Sequence, residues 1–255
     1  MLAIFDKSIA HAPQELRSPC NGSRKPKQPQ EILSDFVLEN NELAISINFC
    51  NGVSLAHSNQ DHHISFSPHR RLLGITDEIY CLFNGNLNNL CYLNKQYGLT
   101  KGTNEAMFVI EAYRTLRDRA PYPADQVVKD LEGSFAFVIY DHTTSSLFAA
   151  LGMDGAIKLY WGIAADGSLV ISDDLEGIKG SCGKSFAPFP AGCIFHSKGG
   201  VMSFEHPVNQ IKAMPRIDSE GMMCGADFKV DVQSRVHSMP RVGSEANWGS
   251  LWGAH

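Results

Sequence analysis

The chain has 255 residues, 44% of them hydrophobic and 19% charged, with a formal net charge of −5. That length suits one large domain with a sizeable core, and the charge offers no basic field to nucleic acid or anionic lipid. No apolar run approaches the ~18 residues of a membrane-spanning helix, and Met1–Phe5 runs into Asp6 and Lys7 too soon to act as a signal peptide.

Seven cysteines, Cys20, Cys50, Cys81, Cys91, Cys182, Cys193 and Cys224, are odd in number, widely spaced and without a CxxC. With no secretion signal they read as reduced, structural thiols, which points to the cytosol or nucleus.

In chain order, Met1–Phe5 reads as a short strand. Arg17–Gln30 is rich in Pro, Ser, Lys and Arg and reads as a mobile surface loop over about residues 17–30. Its basic cluster, Arg24, Lys25 and Lys27, is a solvated loop, a nuclear address or a patch for an acidic partner. Strand patterns follow at Leu43–Phe49 and Ile79–Phe83. Leu87–Gln96 has helical spacing. Asn104–Arg119 is a stronger helix: Ala106, Val109, Ile110, Tyr113 and Leu116 share one face, Asn104 suits the N-cap, and Pro121 stops it. Ala124–Leu131 is a third, short helix.

Ser134–Tyr140 is apolar at every second residue on both faces, so both sides of that strand must be covered. Leu147–Leu151, Lys158–Gly162 and Leu169–Ser172 are further strands, and Asp166-Gly167 is a hairpin signal between the last two. After about His206 the pattern dissolves, save for a strand near Met222–Val230. Ser238–His255, with Trp248 and Trp252, lacks periodicity. Strands around central helices suggest two packed sheets with helices outside, not a doubly wound parallel sheet.

Several segments resemble class II glutamine amidotransferases, in family order. Phe83-Asn84-Gly85-Asn86 is similar to the FNGE signature, and Leu131–Phe137 to the LxGxFAF strand. Met153–Gly162 is similar to RDxxGxKPLYYG, Ser172–Leu175 to a Ser-Glu turn, and Phe189–Gly192 to the FPPG turn. A resemblance over the whole chain is closer. Tyr97-Gly98-Leu99 and Leu116-Arg117-Asp118-Arg119 resemble the motifs of the plant aluminium-induced proteins with YGL and LRDR motifs, also called stem-specific proteins. Met239–Ser244 and Asn247-Trp248 are similar to that family's tail.

The resemblance implies an α+β, four-layer αββα sandwich of two mainly antiparallel sheets flanked by helices, of the Ntn-hydrolase type. It implies an amidotransferase-like domain over residues 1–205 and a C-terminal extension over 206–255 that packs on the same domain and ends in a partly irregular tail.

In the amidotransferases an N-terminal cysteine attacks the amide of glutamine, with its own α-amine as base. An Asn side chain and a Gly N–H stabilise the oxyanion, and one such donor is worth ~10²–10³ in rate. Here Leu2 stands where that cysteine is expected, and no cysteine lies near in sequence. The resemblance places Asn84 and Gly85 as a vestigial oxyanion pair, Asn86 in place of a Glu, Arg71 as the grip on a ligand carboxylate, and Glu105 near the carboxylate that holds a ligand amine. An Arg and a carboxylate facing across a pocket suit an amino-acid zwitterion. The plain alternative is that Arg71 and Glu105 are ordinary pairing residues and Asn84-Gly85 a strand-end turn.

Gly98 suits a left-handed C-cap, and Arg117-Asp118-Arg119 suit a helix C-terminus or an interface. Asp61-His62-His63 has no partners at metal-binding spacing and reads as a polar loop, so no metal or cofactor is expected. Three readings remain open. The first is a catalytically inactive, stress-responsive plant protein that binds a small amino-acid-like metabolite or a protein partner. The second is an enzyme with a different nucleophile or reaction on the same fold. The third is a homodimeric interaction protein with a vestigial pocket.

Overall fold

The computed structural model describes residues 1–18, 25–40, 44–58, 70–119, 124–217 and 223–235. Two six-stranded sheets dominate it. The first contains β1 (Leu2–Phe5), β2 (Ala44–Asn48), β3 (Ser54–Ser58), β8 (Tyr160–Ile163), β9 (Leu169–Ser172) and β10 (Phe186–Pro188), in the order β10-β8-β9-β1-β3-β2. The second contains β4 (Arg70–Thr76), β5 (Ile79–Leu87), β6 (Gly133–Asp141), β7 (Ser146–Leu151), β11 (Cys193–His196) and β12 (Gly200–Ser203), in the order β12-β11-β7-β6-β5-β4. Pairings in both sheets are antiparallel.

Strand alternation sorts the core into three layers. Met1, Ala3 and Phe5 meet Leu82, Ala136, Val138 and Tyr140 between the sheets. Leu2 and Ile4 turn outward, to α1 (Pro29–Glu39) and α5 (Leu175–Cys182). Cys81, Phe83, Phe135, Phe137 and Ile139 turn outward on the second sheet, to α3 (Glu105–Asp118), with α2 (Leu90–Gln96) and α4 (Ala124–Lys129) beside it. β6 is therefore covered on both faces, as its apolar alternation requires. The order helix, sheet, sheet, helix is the four-layer αββα sandwich.

Local chemistry sets the element ends. Asn104 caps α3, its side chain accepting from the Met107 N–H at 2.9 Å, which satisfies an otherwise orphaned donor. Gly167 turns the β8–β9 hairpin at φ 95°, a conformation that favours glycine. Leu87 belongs to β5 and not to the following helix, which starts at Leu90.

The structure adds elements the sequence reading passed over. The segment read as loop to Gln30 already enters α1 at Pro29, and Pro at a first helical position is well tolerated. The pattern after His206 does not dissolve: β13 (Asn209–Ile217) pairs antiparallel with β14 (Met223–Arg235) in a separate ribbon. That ribbon lies against β10 and β12, and Phe228 packs on Trp161 with ring centroids 5.0 Å apart. Arg24, Asp61-His62-His63 and the motifs of the tail from Ser238 lie outside the described residues.

Candidate functional site

Four residues far apart in sequence meet at one end of the inter-sheet layer. In the second sheet, Arg71 on β4 stands directly opposite Asn84 on β5. Leu73 and Leu82, two residues further along the same face, join the inter-sheet core, so Arg71 and Asn84 point toward the first sheet. There β1 and β9 pair, with Leu2 opposite Ser172. This register sets Met1 beside Asp173, the residue just past the end of β9.

Asp173 joins the group together. One carboxylate oxygen takes the α-ammonium of Met1 at 2.6 Å. The other takes Arg71 Nε at 2.9 Å and Asn84 Nδ2 at 3.1 Å. Its side chain is only 4% exposed, whereas that of Arg71 is 24% exposed. Burial by itself pushes the Asp173 carboxyl upward, but the Met1 ammonium and the Arg71 guanidinium outweigh it and hold the group below its ordinary value. The neighbours of Asp173 divide the supporting work. Ser172 Oγ donates to the Met1 carbonyl at 3.1 Å. Asp174 caps α5, accepting from Glu176 N–H and Gly177 N–H.

Gly85 follows Asn84 with φ 129°. A Cβ there would stand 2.1 Å from the Ser134 carbonyl oxygen, so the position requires glycine in both conformation and space. Asn84-Gly85 is not the strand-end turn of the plain alternative: both residues lie inside β5, with Gly85 paired to Arg70 and Phe135. Asn86 is exposed and donates to Asn88 Oδ1 at 3.4 Å.

Two expectations about this site change. Leu2 is not the residue beside Asn84: strand alternation turns its side chain into the α1–α5 layer, and Met1 faces the inter-sheet side. The carboxylate facing Arg71 is Asp173. Glu105 is the first residue of α3 and buried, and α3 packs on the other face of the second sheet. The sequence signal for Asp173 was its place in the Ser172–Leu175 turn; nothing local distinguished it from Asp174.

The family motifs have structural work of their own. Gly98 has φ 68°, and the Leu99 N–H returns to the Asn94 carbonyl at 2.7 Å, a left-handed helix ending. Tyr97 meets Phe108 edge to face with centroids 5.1 Å apart, which fastens α2 to α3. Leu116 packs on the same helix-side cluster. Arg117 reaches Asp118 at 2.7 Å and the fully buried Asp141 at 3.3 Å. Asp141 also accepts from Tyr113, Thr143 and the Thr144 N–H. The Arg119 N–H closes α3 on the Thr115 carbonyl. The motif thus ties α3 to the β6–β7 hairpin.

Other nucleophiles stand elsewhere. Burial raises the Cys81 thiol far above the ordinary range and pushes Cys182 and Cys193 up to about 12. Cys50 and Cys91 are exposed. No cluster of three or more metal-ligating side chains occurs among the described residues. No described helix is long and apolar enough to cross a membrane.

The chain belongs to the aluminium-induced protein family (DUF3700), whose model matches residues 2–230.

The chain is 40% identical over 153 residues to the stem-specific protein TSJT1 of Nicotiana tabacum, covering 59% of this chain and 99% of that one. It is 43% identical over 74 residues to a probable glutamine-hydrolysing asparagine synthetase of Dictyostelium discoideum, covering 29% of this chain and 13% of the synthetase. A Brassica oleracea asparagine synthetase is 36% identical over 114 residues, covering 44% and 19%. The chain therefore spans less than a fifth of these synthetases. Among solved structures it is similar to the glutamine phosphoribosylpyrophosphate amidotransferase of B. subtilis. That match has 17% identity and a TM-score of 0.45, covering 63% of this chain and 36% of the other.

Proposed function

We propose that this protein is a catalytically inactive member of the amidotransferase-like class, and that it acts in plants by binding, as part of a stress response, with its inherited site closed upon itself. One observation carries the reading: the Asp173 carboxylate takes the Met1 ammonium, Arg71 Nε and Asn84 Nδ2 together. Hydrolysis of an amide needs a nucleophile with a transferable proton and a base to receive it. A methionine thioether has no such proton. An ammonium engaged with a carboxylate has no lone pair with which to act as base. The Asn84 amide is spent on Asp173 instead of facing a developing oxyanion.

This arrangement favours an interaction protein, homodimeric or with another partner, over a metabolite receptor at this site. A ligand carboxylate would have to displace Asp173 from Arg71, the most exposed member of the group. The second reading, an amino-acid-like ligand, keeps the support of that partly open guanidinium.

The test measures ammonia release from glutamine, together with thermal shifts in glutamine and glutamate and the assembly state by light scattering. No ammonia and no shift are expected. Ammonia release that an Asn84→Ala change abolishes overturns the inactive reading. A saturable shift with an amino acid that Arg71→Met removes establishes the metabolite reading instead. A monomer at all concentrations removes the homodimer and leaves an unlike partner.

A further inference from the structure

On the reverse face of the β1–β9 pair, away from Arg71 and Asn84, α1 and α5 leave a cavity of about 60 Å³ between them. A space needs ~10–15 Å³ on this scale for each water it holds, so this one has room for about four waters, or a ligand of a few heavy atoms. Most of its floor is apolar, made by the buried Leu2, Ile32, Val170 and Ile178, with the buried Ser172 and Ser181 beside them. Such a floor gains little from water.

The mouth has the opposite character. Asp35 and Glu39 line it from the C-terminal half of α1, where the helix dipole adds negative potential and favours a cation. Glu176 adds a third carboxylate from α5. Lys27 stands among them, its backbone N–H pinned to the Ser181 carbonyl at 2.8 Å and its ammonium on Asp35 at 2.6 Å. The chain itself thus sets an ammonium on an alkyl stem at this entrance. Lys179 holds Glu176, and Asp174 is committed to capping α5, which leaves Glu39 as the exposed carboxylate to meet a newcomer.

Gly180 also lines the space, and nothing stands within 4 Å of where its Cβ would be.

We propose that this cavity is a binding site for a short primary alkylammonium, its chain on Leu2, Ile32, Val170 and Ile178 and its charged head at Glu39. The site is independent of the closed Asp173 group and needs no hydrolytic activity.

The test uses the full chain with methyl-labelled Leu, Ile and Val, titrated with n-butylammonium chloride, n-butanol and sodium butyrate. Butylammonium is expected to shift the Leu2, Ile32, Val170 and Ile178 methyls saturably in the millimolar range fitting so small a ligand. Butanol should bind at least several-fold more weakly, and butyrate should leave these methyls unmoved. Glu39→Gln, on the surface, should weaken butylammonium several-fold. Gly180→Met, filling the space from an open position, should abolish the shifts while the rest of the spectrum stays native. Absence of saturable shifts overturns the proposal. So do equal responses to all three compounds, or shifts that survive Gly180→Met. Should Gly180→Met disturb the fold, the Glu39→Gln titration decides: unchanged affinity for butylammonium overturns the cationic assignment.

Discussion

The α-ammonium of Met1 lies 2.6 Å from Oδ1 of Asp173, with side-chain exposures of only 2% and 4% for the two residues. A buried ion pair owes its tolerance to complete pairing, and removing one member leaves the other uncompensated. The pair also anchors β1 to the end of β9, so it supports the first sheet as well as closing the site.

Asp173→Asn should therefore destabilise the protein by ~3–5 kcal/mol, the usual cost of breaking a buried pair. Urea unfolding of the two proteins measures it. Adding one residue ahead of Met1, which turns the ammonium into an amide, should lower stability in the same direction. A loss under ~1 kcal/mol for Asp173→Asn, as for an exposed pair, contradicts the role assigned to it.

Acid should expose the same linkage. The folded-state Asp173 carboxyl lies below its ordinary value of 3.8, so the unfolded chain takes up the proton more readily. The stability it confers is present above that value and is lost as pH falls through the lower, folded value. Asp141 is held low in the same way: burial opposes the shift, and Thr143, Thr144 and Arg117 outweigh it. Unfolding free energy followed downward from pH 6 should fall most steeply below about 4, and Asp173→Asn should flatten that slope.

Arg117→Met should destabilise the protein by ~2–4 kcal/mol, because it removes the cation facing the fully buried Asp141. The double change Arg117→Met, Asp141→Asn should recover part of the loss, since no buried charge is then left alone. Denaturation of these two variants and of Asp141→Asn alone completes the cycle.

Gly85→Ala should cost at least ~1–3 kcal/mol from backbone strain at φ 129°. The 2.1 Å approach to the Ser134 carbonyl adds to that. The loss should appear in thermal unfolding whether or not glutamine is present, which separates a packing requirement from a ligand-binding one.

Among the described cysteines, Cys50 and Cys91 should react with a water-soluble disulfide reagent in the native protein. Cys81, Cys182 and Cys193 should not, being buried with raised thiol values. Mass mapping of labelled peptides before and after unfolding reads this directly.

Much of the fold was legible because the signals were local and strong. The two-faced apolar run of β6 demanded cover on both sides, and the Asn104 cap with its apolar stripe specified α3. What escaped had weak local signals. α1 carries Ile32, Leu33, Phe36, Val37 and Leu38, the last of them exposed, and enters through a Pro-rich segment. β13 contains Pro215, which argues against a strand unless it lies at an edge, and the β13–β14 ribbon is such a place.

The sequence by itself determined that a central strand runs through residues 79–83 to an Asn-Gly pair, that residues 1–5 form a strand, and that no cysteine stands near them in sequence. It could not decide which residue faces that pair. Strand alternation places Met1, and not Leu2, on the inter-sheet side, and only the β1–β9 register brings residue 173 to residue 1 and both to residues 71 and 84. Periodicity within a segment is written locally, but register and pairing across sheets are set by packing at long range. What that register produces is an ammonium, a guanidinium and an amide gathered on one buried carboxylate.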